Sequence, residues 1–368
     1  MINNIIKIFL FWRVGLFVLA GIAGILIPFG NKFPYADALL MNSSLPKFIW
    51  SFANFDGVHY LTIAKSGYVA NFTQVFFPVF PILMHYLNLF INNYILSGLI
   101  ISNIAFLLSL IVLSKLLKLD LEDNKIIKII LLIIIFPTSF YFGSLYTESL
   151  FLLFVLSSFY FARKDRWGLS AIFGFLASTT RFFGVFLLPA LFIEWYLQKK
   201  PVKKLLPLLF IPIGLFIYMA YLQINFNDPL LFIHAQPVFG AQRTSGDIIL
   251  LPQVIFRYLK ILFTVNPQSL PFFNAFFEFF VSLLFLVLSI VALFKTRLSY
   301  ALFSFAAFII PTLTGTFSSM PRYVLILFPC FIVLAGIKNK IVQVGIISLF
   351  VVLLIASVML FTSGYWIA

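Results

Sequence analysis

Apolar runs about 20 residues long succeed one another through almost the whole chain, with only short polar stretches between them, and a run of that length is what a helix needs to cross a bilayer. Composition agrees, since 62% of the residues are apolar, 10% are charged and the mean hydropathy is +1.10, values no soluble domain shows. The expected fold class is an all-α polytopic membrane protein, with residues 1–368 forming one transmembrane domain. The longest stretch without a clear span, Asn225 to Pro271, is too short and too apolar for a soluble appendage. The first apolar run has little charge before it and no small-residue cleavage signal, so it reads as a retained span rather than a signal peptide.

A net charge of +14 raises the question of nucleic acid, but the basic residues come in small groups between apolar runs, the pattern of cytoplasmic loops. The groups are Lys115 to Lys128, Arg163 to Arg166, Lys199 to Lys204, Lys295 to Arg297 and Lys338 to Lys340. Room for two crossings and one outer turn lies between successive groups. The expected spans are Ile5–Phe29, Tyr94–Leu117, Lys125–Phe142, Leu145–Ala162, Trp167–Thr180, Phe182–Leu197, Leu205–Ile224, Phe272–Phe294, Ser299–Gly315, Tyr323–Ile337 and Ile341–Phe361. That makes about eleven crossings, amino terminus inside and carboxyl terminus outside. The count requires Val75–Ile91, interrupted by Pro78, Pro81 and His85, to be interfacial or re-entrant, and Ile248–Val265, with Arg257 and Lys260, takes the same reading. The expected organisation is a seven-span module over 1–224 with its first outer loop at 30–93, a long outer loop over 225–271, and a four-span module over 272–368. The single cysteine, Cys330, lies in an apolar run and allows neither an internal disulfide nor a cysteine-based metal site.

This topology places the unusual polar residues on the outer side. In Asn54-Phe55-Asp56-Gly57-Val58-His59-Tyr60, a short helix over Gly57–Ser66 would have Asp56 as its N-cap and His59 in its first turn. Asp56 is then a helix cap or a general base able to take a proton from an acceptor hydroxyl. In Tyr146-Thr147-Glu148-Ser149, Glu148 is the only acid between Ile129 and Arg163, and sits either as an ordinary first-turn acid or as a functional group. Arg181, in Ser178-Thr179-Thr180-Arg181-Phe182-Phe183-Gly184, is a snorkelling cation or a phosphate ligand, with Gly184 letting a ligand approach the backbone. The long outer loop carries Asp228, His234 and Gln236, then Gln242-Arg243, and Arg322 opens the tenth span in Ser319-Met320-Pro321-Arg322-Tyr323. All three histidines, His59, His85 and His234, fall outside, but without the close spacing of a zinc site.

In this order and spacing the residues resemble the PIG-V type mannosyltransferases, in particular their bacterial relatives, within the C-type glycosyltransferase (GT-C) superfamily. The family's first-loop signature, Trp-Asp-x-x-His-Tyr/Phe-Leu-x-Ile-Ala-x-x-Gly-Tyr, reads here from Phe55-Asp56 through His59-Tyr60-Leu61 and Ile63-Ala64 to Gly67-Tyr68. The aromatic-proline stretch Phe76 to Pro81 follows, then Tyr146-Thr147-Glu148-Ser149-Leu150-Phe151, Thr180-Arg181-Phe182-Phe183-Gly184, and Asp228-Pro229 with His234-Ala235-Gln236. Phe55 stands where the family has tryptophan, which removes an indole N–H and keeps an aromatic platform. The resemblance runs from about Phe11 to Phe239 and more loosely to Arg322.

It implies a GT-C fold with interfacial helices in the first outer loop, and transfer of a hexose, mannose by the family, from a polyprenyl-phosphate donor to an acceptor hydroxyl on the non-cytoplasmic face. Asp56 with His59 would be catalytic, Arg181, Arg322 and His234 would hold the donor phosphate, and Glu148, Tyr146 and Gln236 would bind the sugar or orient an arginine. One base and one in-line displacement predict inversion at the anomeric carbon. The implied partners are the lipid-linked donor, membrane lipids and a glycolipid, glycan or protein acceptor, with no nucleic acid, in a bacterial plasma membrane. No cofactor is expected; the first loop lacks Asp-x-Asp, while a divalent metal between Asp56 and Glu148 stays open if the fold brings them together. The rival from another class is a secondary transporter or flippase for a lipid-linked sugar, whose site would sit near the midplane between internal repeats, and no repeat relates the two halves of this chain. A membrane scaffold would leave Asp56, Glu148 and Arg181 without a purpose.

Overall fold

A computed structural model describes residues 1–30, 33–241 and 243–367, and within them every regular element is helical. Gln242 lies outside the described residues. In chain order the α-helices begin with α1 (Ile2–Leu26), α2 (Lys47–Trp50), α3 (Asp56–Ser66), α4 (Val79–Ile91), α5 (Tyr94–Leu117), α6 (Asp123–Ile134), α7 (Glu148–Arg163), α8 (Trp167–Thr180) and α9 (Leu187–Leu197). They continue with α10 (Ile213–Phe226), α11 (Leu231–His234), α12 (Leu251–Thr264), α13 (Leu270–Lys295), α14 (Leu298–Thr312), α15 (Met320–Tyr323), α16 (Phe328–Ala335) and α17 (Lys340–Thr362).

Among the described residues, five helical segments are long and apolar enough to cross a membrane by themselves: α1, α5, the stretch Val202–Phe226 that ends in α10, α13 and α17. Of the other expected spans, α7, α8 and α14 are single helices of 16, 14 and 15 residues, and the rest are shorter helices extended by 3₁₀ turns. Thus α6 leads to the turn Ser139–Gly143, α9 is entered through Phe182–Phe186, and α15 and α16 are joined by Val324–Ile326. Helix α4 has 13 residues, a rise of about 20 Å, about the length of α6 and α8. It turns back at Asn92, held in the left-handed region, and packs on α5, while His85 Nδ1 meets the Ala64 carbonyl at 2.9 Å. Helix α12 buries Val254 and Tyr258 and exposes Phe256 and Phe263, a two-faced surface helix.

Apolar helices in lipid gain little from hiding apolar surface from one another, so close packing and interhelical hydrogen bonds must hold them together. Serines supply both. Ser109 Oγ donates to Ser149 O at 3.1 Å between α5 and α7, and Ser158 Oγ donates to Ser170 O at 2.7 Å between α7 and α8. Ser178 Oγ reaches Ile211 O at 2.6 Å, tying α8 to the segment before α10. Cys330 is buried, with its sulfur 3.4 Å from Ser289 Oγ.

Charge gathers at the two ends of α7. At the lysine-rich end, fully buried Glu194 receives Arg297 Nε and Nη2 at 2.6 and 2.8 Å, Ser299 Oγ at 2.6 Å and Gln198 Nε2 at 2.6 Å. Arg163 stands 3.7 Å from the same carboxylate and pairs bidentately with Asp120 at 2.6 and 2.8 Å. Glu148 opens the other end of the helix, about 23 Å away. Replacing Glu194 by leucine strands the Arg297 guanidinium, while Arg163 keeps Asp120, and is expected to destabilise the fold by about 3 kcal/mol. The same scan in detergent should leave the thermal midpoint unchanged for Lys118→Gln, which breaks only an exposed pair with Asp123.

Candidate active site

The Glu148 end of α7 is where distant segments converge. Leu145 N–H donates to Phe52 O at 2.9 Å, and Asn54 Nδ2 donates to Phe361 O at 2.8 Å, so the first-loop segment is fixed to the turn before α7 and to α17. Tyr146 Oη donates to Asn54 O at 2.8 Å and accepts the Asp56 N–H at 3.2 Å. Phe55 is held at φ +59°, a conformation rare outside glycine, with its ring against Phe33, Phe361 and Trp366. The strained residue turns the chain so that Asp56 is the first residue of α3.

Asp56 is therefore not the N-cap expected from spacing. Phe55 occupies that position, and no side chain caps the helix. The Asp56 carboxylate points instead to Arg322, whose Nη1 lies 2.5 Å from Oδ2. Arg322 Nε is 3.4 Å from Glu148 Oε1, and Arg181 Nη2 is 3.0 Å from that same oxygen. Two acids and two arginines thus form one chain, Asp56–Arg322–Glu148–Arg181, drawn from the starts of α3 and α7, the end of α8, and α15. Arg322 is 5% exposed and its guanidinium carbon lies 5.3–5.8 Å from the rings of Tyr141, Tyr146, Tyr323 and Trp366. Glu148 Oε2 and Arg181 Nη1 are buried and have no hydrogen-bond partner.

These four residues line a cavity of about 770 Å³, together with His59, Gln236 and Trp366 and an aromatic wall that includes Phe76, Phe182 and Phe239. His59 stacks on Phe76 at 5.1 Å and meets the edge of Phe239 at 5.4 Å. Burial lowers its pKa below the usual 6.5, and the nearby Asp56 charge offsets only part of that. Gln236 faces the cavity and donates to Phe232 O at 3.2 Å.

His234 is not brought into the group. Its imidazole is half exposed and bonded to Asp228 at 2.7 Å, away from the cavity lining, because the short helix α11 turns Phe232 and Ile233 inward in its place. Gly184 also differs from expectation. A Cβ there would fall 2.3 Å from Ala177 C and Ser178 N, so the glycine lets the turn pack on the backbone of α8 rather than admit a ligand. Gly143 has a similar purpose, since a Cβ would meet Arg13 Nη1 at 2.6 Å where that buried guanidinium lies over the rings of Phe17 and Phe52. Asp56 and Glu148 do approach one another, but through the shared Arg322 guanidinium, and among the described residues no three His, Cys, Asp or Glu side chains form a metal-like group.

Sequence reasoning missed Glu278 and Trp366 and gave Arg243 no role, although all three line the cavity. Glu278 is an acid inside an apolar span, which is itself a signal of function. Trp366 carries no such mark.

An all-helical membrane protein whose large cavity joins carboxylates, arginines and aromatic walls in this way, and whose sequence matches a mannosyltransferase family, is a membrane glycosyltransferase. Residues 29–194 match the family model described as Mannosyltransferase (PIG-V), so this part of the chain is similar to the PIG-V mannosyltransferases. The matched segment contains Asp56, His59, Tyr146, Glu148 and Arg181, while Arg322 lies beyond it. No curated protein matches the chain.

Tyr146→Phe removes the hydroxyl that bonds both Asn54 and Asp56. It should cost about 1–2 kcal/mol of stability and lower activity about tenfold, read from thermal midpoint and kcat/KM. For His59, a folded pKa below the unfolded one means that the unfolded chain binds the proton more readily. Its contribution to stability is therefore full above 6.5 and lost as pH falls through the folded value. The difference in thermal midpoint between wild type and His59→Gln should shrink between about pH 7.5 and about pH 5; a constant difference would count against it.

Proposed function

We propose that the protein transfers a hexose, mannose by its family, from a polyprenyl-phosphate donor to an acceptor hydroxyl, with inversion, on the face opposite the lysine-rich loops. The observation that carries this reading is the pairing of Asp56 with Arg322 in one cavity with Glu148 and Arg181. In the reaction, the acceptor oxygen attacks the anomeric carbon while the bond from that carbon to the phosphate oxygen breaks. The acceptor proton passes to the Asp56 carboxylate, and the bonding electron pair leaves with the polyprenyl phosphate. The negative charge that grows on the phosphate is met by Arg322 and Arg181, and a lipid phosphate leaves without a protein acid. Glu148 fixes both arginines, and His59, neutral and stacked, bounds the sugar space.

The lipid tail has a suitable surface. Phe182 and Phe183 line the cavity, and one turn further an apolar groove of about 790 Å³ begins at Phe186 and continues past Phe192, Leu209 and Phe305. The orientation follows from charge, because Lys and Arg cluster at the Glu194 end and cytoplasmic loops are the basic ones. That supports a cavity on the outer side of the plasma membrane.

The reading is tested with purified protein in lipid nanodiscs, polyprenyl-phosphate-mannose and a panel of glycoside and peptide acceptors. Asp56→Asn should lower kcat by about 10²–10⁴-fold with little change in donor KM. Arg181→Gln should chiefly raise donor KM. Wild-type-like turnover by Asp56→Asn would remove the base assignment, and absence of transfer from every lipid-linked sugar would remove the function.

A further inference from the structure

The cavity has a second charged region that the Asp56–Arg322–Glu148–Arg181 chain does not use. Glu278 lies in the apolar helix α13, is 7% exposed and lines the cavity. One carboxylate oxygen accepts from Tyr258 Oη at 2.5 Å, and that phenol in turn accepts the Phe317 N–H at 3.2 Å and stands 3.2 Å from Thr316 Oγ1. Arg243 lines the same cavity and donates to Ser319 Oγ at 3.2 Å and Ser318 O at 3.4 Å. Among the described residues, Glu278 has no cation and Arg243 no anion within ion-pair distance.

The contrast with the first group is physical. There, two acids and two arginines neutralise one another at ion-pair distance; here an acid and a base share the cavity wall beyond ion-pair distance, each hydrogen-bonded to neutral groups. A buried carboxylate bonded to Tyr258, with Ser318 and Ser319 beside it, can accept further donors from the cavity, and an arginine bonded to serine oxygens retains N–H groups to give. Ser319, at φ +68°, also accepts the Arg322 N–H at 3.0 Å, so the second region is joined through three residues of backbone to the reaction centre. Its chemistry does not suit phosphate, which a neighbouring carboxylate repels. It suits a ligand that both donates and accepts, as adjacent sugar hydroxyls do.

We propose that Glu278 and Arg243, with Ser318 and Ser319, form the acceptor subsite and recognise a carbohydrate acceptor, Glu278 receiving its hydroxyl protons and Arg243 donating to its oxygens. The inference rests on the glycosyl-transfer reading above and names the acceptor class for the same cavity. A Ser or Thr side chain presents a single hydroxyl, whereas a sugar ring presents hydroxyls on adjacent carbons, so that one can donate to Glu278 while its neighbour accepts from Arg243.

The test uses the full chain in nanodiscs and octyl α-mannopyranoside as probe. Trp366 in the cavity wall makes binding visible as quenching of tryptophan fluorescence. Wild type should show a saturable response, and Glu278→Gln and Arg243→Gln should each weaken it about tenfold or more. In the transfer assay both variants should raise the KM for the glycoside while donor KM stays the same, a split that loss of folding does not produce. Arg243 is on a partly exposed loop, so its variant reports even if the substitution in α13 impairs folding. No saturable binding to wild type, unchanged binding by the variants, a matching rise in donor KM, or competition by a Ser/Thr peptide but not by mannoside would overturn the proposal. Binding of mannoside by wild type without release of sugar from polyprenyl-phosphate-mannose to glycoside or water would instead reject the glycosyl-transfer reading and leave the subsite standing.

Discussion

The cavity depends on one buried cation. Arg322 is enclosed by aromatic rings and would be costly to hold there alone, since a buried charge without a partner is far less stable than one paired and hydrogen-bonded. Its partners, Asp56 and Glu148, come from chain segments 266 and 174 residues away in sequence. Neither acid has another cation as close except Arg181, which closes the group on its far side. The first loop, the starts of α3 and α7, the end of α8 and the short helix α15 therefore reach their final places together or not at all. Formation of the site and closure of the helical bundle at that end are one event.

The opposite end of α7 solves a similar problem for a different purpose. Glu194 is as buried as Glu148, but its oxygens are filled by Arg297, Ser299 and Gln198, with Arg163 nearby, and little is left for a ligand. At the Glu148 end, one carboxylate oxygen and an Arg181 nitrogen remain unpartnered. Saturated hydrogen bonding marks the staple; incomplete hydrogen bonding beside a cavity marks the site. Between them, α7 touches its neighbours through serines that let helices approach and spend their hydroxyls on carbonyls across the interface.

Much of this was legible in the sequence for stated reasons. The apolar runs required helices, and Asp56, Tyr146, Glu148, Arg181 and Arg322 were visible because ionisable or hydrogen-bonding groups beside long apolar segments need a partner. Pairing was not legible, since nothing in spacing says that Arg322 serves both acids. Asp56 was read as a cap because a carboxylate before a helix is usually one, and only the turned backbone at Phe55 makes it the first helical residue. His234 shares a loop with Gln236, yet four-residue α11 sends one outward and the other in. Glu278 is masked because its helix is so uniformly apolar that a single acid leaves the span pattern unchanged.

The internal cancellation of charge in the Asp56–Arg322–Glu148–Arg181 group bears on how a substrate arrives. A cleft lined by one sign of charge projects a field into solution and draws ions from a distance, at rates that fall steeply with ionic strength. Two carboxylates interleaved with two guanidinium groups behave as a multipole whose field decays within a few ångströms. Such a site has no long-range pull on a soluble anion, and in the proposed reaction would engage the donor phosphate only once it is already alongside. That suits a ligand delivered by sideways diffusion in the bilayer, whose capture is governed by the membrane plane and by the fit of its tail, with salt in the surrounding water having little part in it.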